Sequence, residues 1–522
     1  MSQQDAIRTG FASSVGAGRD SSGEAVDGTD SVTAGPAGLG TDAVDQLRVD
    51  QLRFDFLPDL PVDVQRVEGQ SSSDAGLLPI RQADERLGYT RAMAACLSDA
   101  RREPEHTAIE MLRQRLYGVL ADYEDCNDHD ALRGDPIFKM LAERKPNDPS
   151  LASQPTLSRF ENAVDIPALL RILDFLCESG ARRLRERNGG SLPPRVVFDL
   201  DATDDPAHGR QQLVLFHGYY NQHQYLPLII SEPTTQHVFC AWLRPGAVHA
   251  AAGAEEEIVR IGQRLRAERG DIALHFRGDA GYGVPWMYQA CEAQGYTYTF
   301  GLSSNKRLAA LAQPLLDRAI EGYKNSGVKQ RLFTHFTYRA GSWDRDRMVV
   351  AKAECQAAGT NLRFVITNLP VASDADARQI YDDYVQRGAS EQRMDELKNG
   401  LHADRLSCHR FLANFWRLLL HTAALNLLNW VRDDAAIPDE LRDGSSIPAE
   451  LRKARPQTWR SKLIKVAATV VQTTRRLRVQ VSSQWPHWGH YVAVSLRALN
   501  MRSPPEPAIT RMPVVAGMPA GP

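Results

Sequence analysis

Apolar side chains recur with two different periods along the chain, which divides it into a helical part and an α/β part. Between residues 75 and 190 they recur at helical spacing, as in Leu112, Leu116 and Leu120, and again from Ile166 to Leu184. From residue 195 onwards, short apolar runs bounded by turn residues are typical of buried strands. The order three strands, helix, strand, helix, strand predicts a mixed α/β sheet whose first three strands are hairpin-linked.

The elements of the α/β part can be assigned from these runs. Strands are predicted at 195–201, 213–216, 225–230, 272–276 and 296–300, and helices at 255–268 and 284–294. Residues 301–370 predict a strand-rich insertion with strands at 333–339, 347–354 and 362–367, and residues 376–431 predict helices again. The most apolar stretch, 411–431, carries Asn414, Arg417 and His421, so it predicts a buried helix and not a membrane span.

Composition and charge narrow the class of protein. With 62 Lys and Arg against 64 Asp and Glu, and 43% hydrophobic residues, the chain is globular, which excludes wholesale disorder, collagen and coiled-coil fibres. Residues 451–505 contain eleven basic residues and no acid, which indicates a polyanionic partner that the net charge conceals. Seven scattered cysteines without a C-x-x-C pair, and an N-terminus without an apolar signal segment, predict a cytoplasmic protein.

Three acids stand out because of where they fall among the predicted elements. Asp201 ends the first strand, Asp279 follows the fourth, and Glu391 lies inside the late helix. Acids at strand ends of an α/β sheet point into the crevice where such folds bind ligands. Converging carboxylates repel one another unless cations lie among them, and hard oxygen ligands suit Mg²⁺ or Mn²⁺. Two such ions can clamp the attacking and leaving oxygens of a phosphoryl transfer.

The late helix adds a charged face around one of these acids. Tyr384, Arg387, Glu391 and Lys398 are spaced so that, on one continuous helix, they share a face within about 60°. A carboxylate flanked by a phenol, a guanidinium and an ammonium group suits a metal-bound phosphodiester. A solvent-exposed charged face is the alternative interpretation of the same spacing.

These motifs resemble those of DDE transposases from bacterial insertion sequences. Tyr384-x2-Arg387-x3-Glu391-x6-Lys398 is similar to the family's Y-R-E-K signature, and Asp201-Ala202-Thr203 resembles its first D-x-T. Four further sequence segments resemble the more specific group IS-thirteen-eighty. These segments are Tyr123-Glu124-Asp125-x-Asn127-Asp128-His129, Thr156-Leu157-Ser158-Arg159, Asp204-Asp205-Pro206 and His217-Gly218-Tyr219-Tyr220.

The resemblance implies a function and a site. It implies an RNase H-like core in which Asp201, Asp279 and Glu391 bind two divalent ions, either Mg²⁺ or Mn²⁺. It implies that the protein binds double-stranded DNA at the element ends and transfers the cut strand to target DNA. In family members with this insertion an aromatic residue can stack on a flipped base, which makes Trp343 a candidate, although a packing tryptophan is the alternative. Synapsis of two ends implies at least a homodimer.

The fold class and the boundaries follow from combining pattern and resemblance. We expect an α/β protein whose RNase H-like mixed-sheet core is preceded by an all-helical DNA-binding region and followed by a basic helical region. The predicted boundaries are a disordered tail at 1–50, a helical DNA-end-binding region at 51–190, the catalytic core at 191–435 with its insertion at 301–370, the basic helical region at 436–505 and a disordered end at 506–522.

Further DNA contacts are expected outside the catalytic acids. Ser158 and Arg159, at the start of a short helix, are candidates for reading DNA, although an ordinary capped helix is equally compatible with the pattern. Arg475 and Arg476 belong to the basic block and are expected to contact the DNA backbone, with a solvated helix face as the alternative.

Two alternatives to a transposase remain open at this stage. The segment around Asp199 and Asp201 also fits the D-x-D-x-T of haloacid-dehalogenase-like phosphatases, in which Asp199 would be the nucleophile. Asp199 is also a second candidate for the first metal ligand, since it shares a strand face with Asp201. The other alternative is a non-catalytic DNA-binding protein descended from a transposase.

Overall fold

The structure is a computed structural model and describes residues 51–54, 62–65, 69–99, 101–207, 209–433 and 449–501. The predicted disordered segments 1–50 and 506–522 lie outside these ranges. The chain divides into two compact units after Gln70. In the first unit, strands β1 (Gln51–Phe54) and β2 (Val62–Gln65) form an antiparallel hairpin. The prediction of a helical region from residue 51 was therefore wrong at its start, because QLRF and VDVQ alternate with the two-residue period of a strand.

The second unit begins with strand β3 (Ser71–Ser72) and a set of helices that confirm the helical periodicity from residue 75. These helices are α1 (Leu77–Leu87), α2 (Tyr89–Ala95), α3 (Ala108–Leu120), α4 (His129–Leu132), α5 (Pro136–Leu141), α6 (Gln154–Asn162) and α7 (Ile166–Arg187). Helix α3 starts with a capping box, in which Thr107 and Glu110 satisfy each other's backbone N–H groups. Asp165 caps α7 in a similar way, accepting from the backbone N–H of Ala168.

A mixed eight-stranded sheet forms the centre of the second unit. In chain order its strands are β4 (Arg195–Ala202), β8 (Leu228–Glu232), β9 (His237–Trp242), β10 (Ala273–Gly278), β11 (Thr297–Leu302), β12 (Gln330–Tyr338), β13 (Arg347–Gln356) and β14 (Gly359–Thr367). Their spatial order is β12-β13-β14-β11-β10-β4-β8-β9. Strands β4, β10 and β11 are parallel neighbours, whereas β8 and β9 continue from β4 as antiparallel strands.

The order of three strands, helix, strand, helix, strand is found in the central sheet, although the prediction at 213–216 lies outside this sheet and the strand at 237–242 was not predicted. A separate small sheet consists of β5 (Asp205–Pro206), β6 (Leu215–His217) and β7 (Gln222–Tyr225), and the predicted strand at 225–230 overlaps the end of β7 and the start of β8. The second and third strands of the central sheet are instead β8 and β9. The crossover helices are α8 (Ala254–Glu268) and α9 (Pro285–Ala293), close to their predicted positions.

The insertion at 301–370 extends the central sheet. Its three strands lie near their predicted positions as β12, β13 and β14, and β14 pairs antiparallel with β11. The insertion also contains a long helix, α10 (Lys306–Ser326), which was not predicted. Pro314 lies inside this helix, and a proline at such a position normally indicates a helix break.

The late helical region consists of three elements in place of one continuous helix. Helix α11 (Asp374–Val385) ends before a turn, α12 (Gly388–Asp395) follows, and Glu396–Gly400 is a π-helical turn. Helix α13 (Phe411–Arg432) is buried along its whole length, as predicted, and packs against α3, α7 and β9.

The predicted boundary at 190 therefore does not coincide with a division between compact units. None of the helices in the described ranges combines the length and apolar character that crossing a bilayer requires.

The basic block is only partly helical. It contains α14 (Ala449–Arg452), α15 (Pro456–Trp459), a π-helical turn at Arg460–Ile464 and α16 (Trp488–Asn500). Between these helices, β15 (Ala468–Gln472) and β16 (Leu477–Val481) form an antiparallel ribbon that pairs with β3. The expectation of a wholly helical region was wrong, because the β-branched residues in ATVVQ and LRVQV favour strands.

Candidate functional site

Two of the predicted carboxylates lie side by side at one edge of the central sheet. Asp201 is the penultimate residue of β4, and Asp279 directly follows β10. The two strands are parallel neighbours with Leu200 opposite Gly278, so the next residues along each chain are Asp201 and Asp279. The carboxyl ends of parallel strands thus bring both acids to the crevice at this edge.

Asp201 is held by the segment that carries the third predicted acid. The Ser390 hydroxyl donates to Asp201 Oδ2 at 3.0 Å, and Arg387 Nη1 lies 3.3 Å from the same oxygen. Burial raises the pKa of Asp201 to about 6, although Arg387 and Ser390 act in the opposite direction. The negative charge of Asp279 raises this pKa further, which places the two carboxylates within electrostatic range of each other.

Asp279 is positioned by a tight turn and by a glycine on the neighbouring strand. Its Oδ1 accepts the backbone N–H of Gly281 at 2.8 Å, which starts a short 3₁₀ turn. A methyl group on Gly301 of β11 would lie 2.7 Å from the Ala280 nitrogen and 2.8 Å from the Tyr384 hydroxyl. Only the absence of a side chain at residue 301 lets the Asp279 turn and Tyr384 approach each other so closely.

The four residues of the Y-R-E-K pattern do not lie on one continuous helix. The turn at 386–387 separates Tyr384 from the next helix, and the π-helical turn rotates Lys398 relative to α12. Tyr384 and Arg387 lie at the acids, with the guanidinium carbon 5.9 Å from the Tyr384 ring centre. Glu391 directly follows Ser390 and is exposed, with no hydrogen bond or ion pair to any described residue.

Lys398 contacts Asp204, which is not one of the three predicted metal ligands. Its Nζ lies 2.8 Å from Asp204 Oδ1 and donates to the Asp204 carbonyl at 2.9 Å. Burial opposes ionisation of Asp204, but the hydrogen bond and charge of Lys398 hold its pKa below the ordinary value. Gln222 Nε2 donates to the other Asp204 oxygen at 3.1 Å. Lys398 therefore fixes the loop that follows Asp201.

Asp199 is committed to a buried ion pair. Arg277 Nε and Nη2 donate to its two carboxylate oxygens at 2.7 and 2.9 Å, and the Asp199 side chain is 1% exposed. The third guanidinium nitrogen donates to the Asp383 carbonyl at 2.6 Å. This pairing leaves Asp199 unavailable as a metal ligand or as the nucleophile of a phosphatase, which favours Asp201 as the first ligand.

Trp343 is in a packed position. It lies in the loop between β12 and β13 as predicted, but it is only 5% exposed. Its ring makes edge contacts with Tyr288 and Tyr338 at centroid distances of 5.4 Å, and the Arg347 guanidinium lies 5.9 Å from its centre. Neighbouring side chains cover the ring, which favours the packing alternative over the prediction that Trp343 stacks on a flipped base.

The other predicted DNA contacts lie on the surface. Arg159 is exposed on α6, where it donates to Thr156, and Ser158 is partly buried beside it. Arg475 and Arg476 are exposed in the turn of the β15–β16 ribbon and not on a helix face. The backbone of this turn is closed by a hydrogen bond from Thr473 N–H to the Arg476 carbonyl at 2.9 Å.

The carboxylates at the sheet edge fit divalent cations by their chemistry and accessibility. Asp201 and Asp279 are partly exposed oxygen donors at the ends of neighbouring strands, and Glu391 is an exposed donor directly after Ser390, which bonds Asp201; carboxylates of this kind suit Mg²⁺ or Mn²⁺. Their oxygens are not drawn together as one tight cluster: within the described ranges, only Asp122, Glu124 and His402 bring three ligand atoms within 4.8 Å.

That tighter cluster is already neutralised by protein cations. Asp122 pairs with Arg460 and accepts from His402 at 3.0 Å, and Glu124 pairs with Arg405. A cation would have to displace two guanidinium groups, so we interpret the group as a junction that ties the early helices to the late ones.

Several residues of the site escaped the sequence analysis. Ser390 has no sequence signal beyond its position before Glu391. Asp204 was noted only within one of the segments that resemble the family, and its pairing with Lys398 joins residues 194 positions apart. Arg277 could have been found, because it lies opposite Asp199 once β4 and β10 are aligned as parallel strands.

The fold and the site together define an α/β protein with carboxylates at strand ends, suited to phosphoryl transfer with divalent ions. The family described as "Transposase DDE domain group 1" matches residues 56–502, and the chain belongs to this family. Membership indicates a transposase, an enzyme that binds, cleaves and transfers DNA and generally uses a divalent metal. A comparison with curated proteins finds no match.

Proposed function

We propose that the protein is the transposase of a bacterial insertion sequence, of the Y-R-E-K type and the IS-thirteen-eighty group. It binds the terminal inverted repeats of its element, cuts the DNA at the ends and joins them to target DNA in a cut-and-paste reaction. The observation that carries this proposal is the arrangement at the sheet edge. Asp201 and Asp279 lie side by side at the ends of two neighbouring parallel strands, and a hydrogen bond from Ser390 ties the segment of Glu391 to Asp201.

The sheet supports an RNase H-like core. The strands β9-β8-β4-β10-β11 form five consecutive positions, with an antiparallel hairpin series followed by parallel strands joined through helices. Asp201 lies on β4, the middle strand of this set, and Asp279 directly follows its neighbour β10. The extra strands β14, β13 and β12 join at the far edge and leave the acids accessible. The proposed insertion therefore widens the sheet without covering the site.

The proposed division of roles follows from the contacts. Asp201, Asp279 and Glu391 would hold two Mg²⁺ or Mn²⁺ ions, which supply activation of the attacking oxygen and neutralisation of charge on the phosphate. Ser390 orients the carboxylate of Asp201. Arg387 lies between Asp201 and Tyr384 and provides a forked positive charge for a phosphate at the scissile bond.

Lys398 is proposed to act on the same DNA strand from the other side of Asp201. Its ammonium group retains partial exposure while it bonds Asp204, so a phosphate can share it. The exposed guanidinium groups of Arg159, Arg475 and Arg476 are proposed to bind DNA outside the catalytic edge, with Ser158 beside the first of them. A two-stranded ribbon like β15–β16 has the dimensions to enter a major groove.

The assembly and location are further parts of the proposal. Two element ends must be cut and joined together, so we propose a homodimer in the DNA-bound complex. All seven cysteines lie in the described part of the chain and are free thiols, which supports action on nucleoid DNA in a reducing bacterial cytoplasm.

The test uses DNA of the element itself. Purified protein is incubated with Mg²⁺ and a labelled duplex that carries the terminal repeat, beside a duplex of shuffled sequence. We expect a nick at the end of the repeat only, a free 3′-hydroxyl, and joining of that end to added plasmid. Cutting of neither duplex, with tight binding to the repeat, would instead support a non-catalytic DNA-binding protein.

A further inference from the structure

A ring of contacts links the strand of Asp201 to the end of helix α11. The carboxylate of Asp199, two residues before Asp201 on β4, accepts two hydrogen bonds from Arg277 of β10, at 2.7 and 2.9 Å. The third guanidinium nitrogen of Arg277 donates to the Asp383 carbonyl at 2.6 Å. One side chain therefore bridges two strands of the sheet and the last turn of a helix.

The geometry of this bridge suits an arginine. A guanidinium group is planar and presents its N–H groups in a fixed fork, so it can hold a carboxylate with two nitrogens and still donate with the third. Both partners are almost wholly buried, with side-chain exposures of 7% for Arg277 and 1% for Asp199. Because a buried charge without its partner is costly, the pair holds the guanidinium group in one place.

The backbone after Asp383 carries this fixed position on to Arg387. The Gln386 N–H donates to the Asp383 carbonyl at 3.2 Å, and the Arg387 N–H donates to the Tyr384 carbonyl at 3.0 Å. These two bonds close the turn between α11 and α12. Arg387 then reaches back to the sheet, where its Nη1 lies 3.3 Å from Asp201 Oδ2. The ring of contacts thus begins and ends on β4.

The rest of α11 is held by a different surface. Ala377, Ile380 and Tyr381 belong to an apolar cluster with Phe333 and Val350 of the inserted strands. That cluster fixes the earlier turns of the helix against the insertion. The guanidinium bridge adds what the cluster does not supply, which is a fixed position of the last turn at the catalytic edge.

We propose that Arg277, held by Asp199, is a positioning residue that fixes the end of α11 so that Arg387 meets Asp201 and the scissile phosphate. The inference rests on the proposed function, because it requires a phosphate at the acids. It gives Asp199 a role in the reaction that involves no metal binding. Loss of the bridge should leave the acids on their strands but displace Arg387, and a displacement of about 1 Å can cost about a hundredfold in rate.

A paired substitution separates positioning from stability. Asp199→Val with Arg277→Met removes both charges and leaves neither buried alone, and an apolar pair of similar volume is often neutral for stability. We expect a thermal midpoint close to that of wild type, unchanged affinity for the element end, and cleavage slowed about 10- to 100-fold at saturating DNA and Mg²⁺. A variant that loses affinity in proportion to its rate would overturn the proposal.

The matched control removes an arginine–carboxylate pair from another part of the fold. Glu257 and Arg260 form such a pair within helix α8, at 2.9 Å. Glu257→Gln with Arg260→Met should therefore cut the element end like wild type. If this control slows cleavage as much as the paired substitution does, the effect is not specific to the bridge and the proposal is wrong.

A second comparison tests whether Arg277 acts through Arg387. In an Arg387→Ala background, the paired substitution should slow cleavage by less than about twofold, because the group that the bridge positions is already absent. A further loss as large as the one seen in the presence of Arg387 would show independent effects and overturn the proposal. Arg277→Lys keeps a charge beside Asp199 but lacks the fork, so it should also slow cleavage. It decides the question if the paired variant does not fold, and a wild-type rate would refute the bridge.

Hydrogen exchange gives a readout that needs neither DNA nor metal. Without the bridge, the backbone amides of Gln386 and Arg387 should exchange faster, while those of β4 and β10 keep their wild-type rates. Unchanged exchange at 386–387 would overturn the proposal even if cleavage slowed.

The outcomes separate this inference from the proposed function. If wild type cuts the element end and the paired variant cuts equally fast, only the positioning role is refuted. A wild-type protein that neither binds nor cuts the element end refutes the proposed function and this inference with it.

Discussion

Asp199 and Asp201 lie two residues apart on β4, and removal of their charges should change stability in opposite directions. Asp199→Asn leaves the Arg277 guanidinium buried without its counter-ion, at 7% side-chain exposure. Breaking a buried pair by removing one partner costs about 3–5 kcal/mol. We therefore expect Asp199→Asn to lower the free energy of unfolding by about that amount.

Asp201→Asn should be stabilising because the native state disfavours the charged carboxylate. Burial raises the pKa of Asp201 from 3.8 to about 6. Each pKa unit corresponds to about 1.36 kcal/mol, which gives an upper bound of about 3 kcal/mol at pH 7. The side chain keeps 15% exposure and the substitution also removes the charge interaction with Arg387, so we expect a gain of about 1–3 kcal/mol.

The pH dependence gives this prediction a definite sign. Between about pH 4 and pH 6 the native state binds the Asp201 proton more tightly than the unfolded state does, so this group makes stability fall as pH rises. Above about pH 7 its contribution is level. The stability difference between Asp201→Asn and wild type should therefore be near zero at pH 4 and reach its full value by pH 7.

Thermal unfolding in metal-free buffer measures these effects. For a unit of about 400 residues, 1 kcal/mol shifts the midpoint by about 1 °C, so replicate scans of both variants are needed. Added Mg²⁺ should raise the midpoint of the wild type more than that of Asp201→Asn, because the ion favours the ionised carboxylate. A strongly destabilised Asp201→Asn beside an unaffected Asp199→Asn would refute the assignment of roles to the two acids.

Three other perturbations test separate parts of the structure. Gly301→Ala should push away the neighbouring turn that holds Asp279, which should lower the free energy of unfolding by about 1–3 kcal/mol and abolish most of the cleavage. Gly341→Ala is the control, because open space surrounds this glycine, and it should change neither the thermal midpoint nor the cleavage rate. Trp343→Ala should lower the free energy of unfolding by about 3–5 kcal/mol. The affinity of the folded variant for the element end, measured by gel shift below its thermal midpoint, should stay unchanged. Weakened binding with full stability would contradict the packing role of Trp343. Substitution of Arg475 and Arg476 by alanine should weaken binding of all duplexes alike and reduce the slope of log affinity against log salt by about 0.9 for each DNA phosphate that is no longer neutralised; an unchanged slope would exclude the ribbon from the interface.

The central sheet was largely predictable because its strands are made of local, strongly apolar runs. RVVFDLDA, ALHFRG and TYTFGL each combine β-branched or aromatic residues with burial on both faces. The run at 213–216 has the same local character, yet it forms part of the exposed β6–β7 hairpin. Nothing in a four-residue run states which surface it will pack against, and here β8 and β9 complete the central sheet beside β4.

The catalytic edge was predictable to the extent that it depends on strand ends. Asp201 and Asp279 follow from the rule that ligands bind at the carboxyl ends of parallel strands. The assumption of one continuous helix from Tyr384 to Lys398 was wrong, because a turn at 386–387 and a π-helical turn interrupt it. The ion pair of Asp199 with Arg277 links residues 78 positions apart and becomes visible only when the strands are aligned.

The most direct test of the account is metal-dependent cleavage by variants of the three acids. Wild type, Asp201→Asn, Asp279→Asn and Glu391→Gln are compared on a labelled element end with Mg²⁺, at protein concentrations that saturate the DNA. Asp382→Asn, at an exposed acid of α11 outside the crevice, serves as the matched control. We expect the three variants to bind the end but to lose cleavage by at least about a thousandfold, equivalent to about 4 kcal/mol, while the control cuts like wild type. Cleavage at the wild-type rate by any of the three would contradict this expectation.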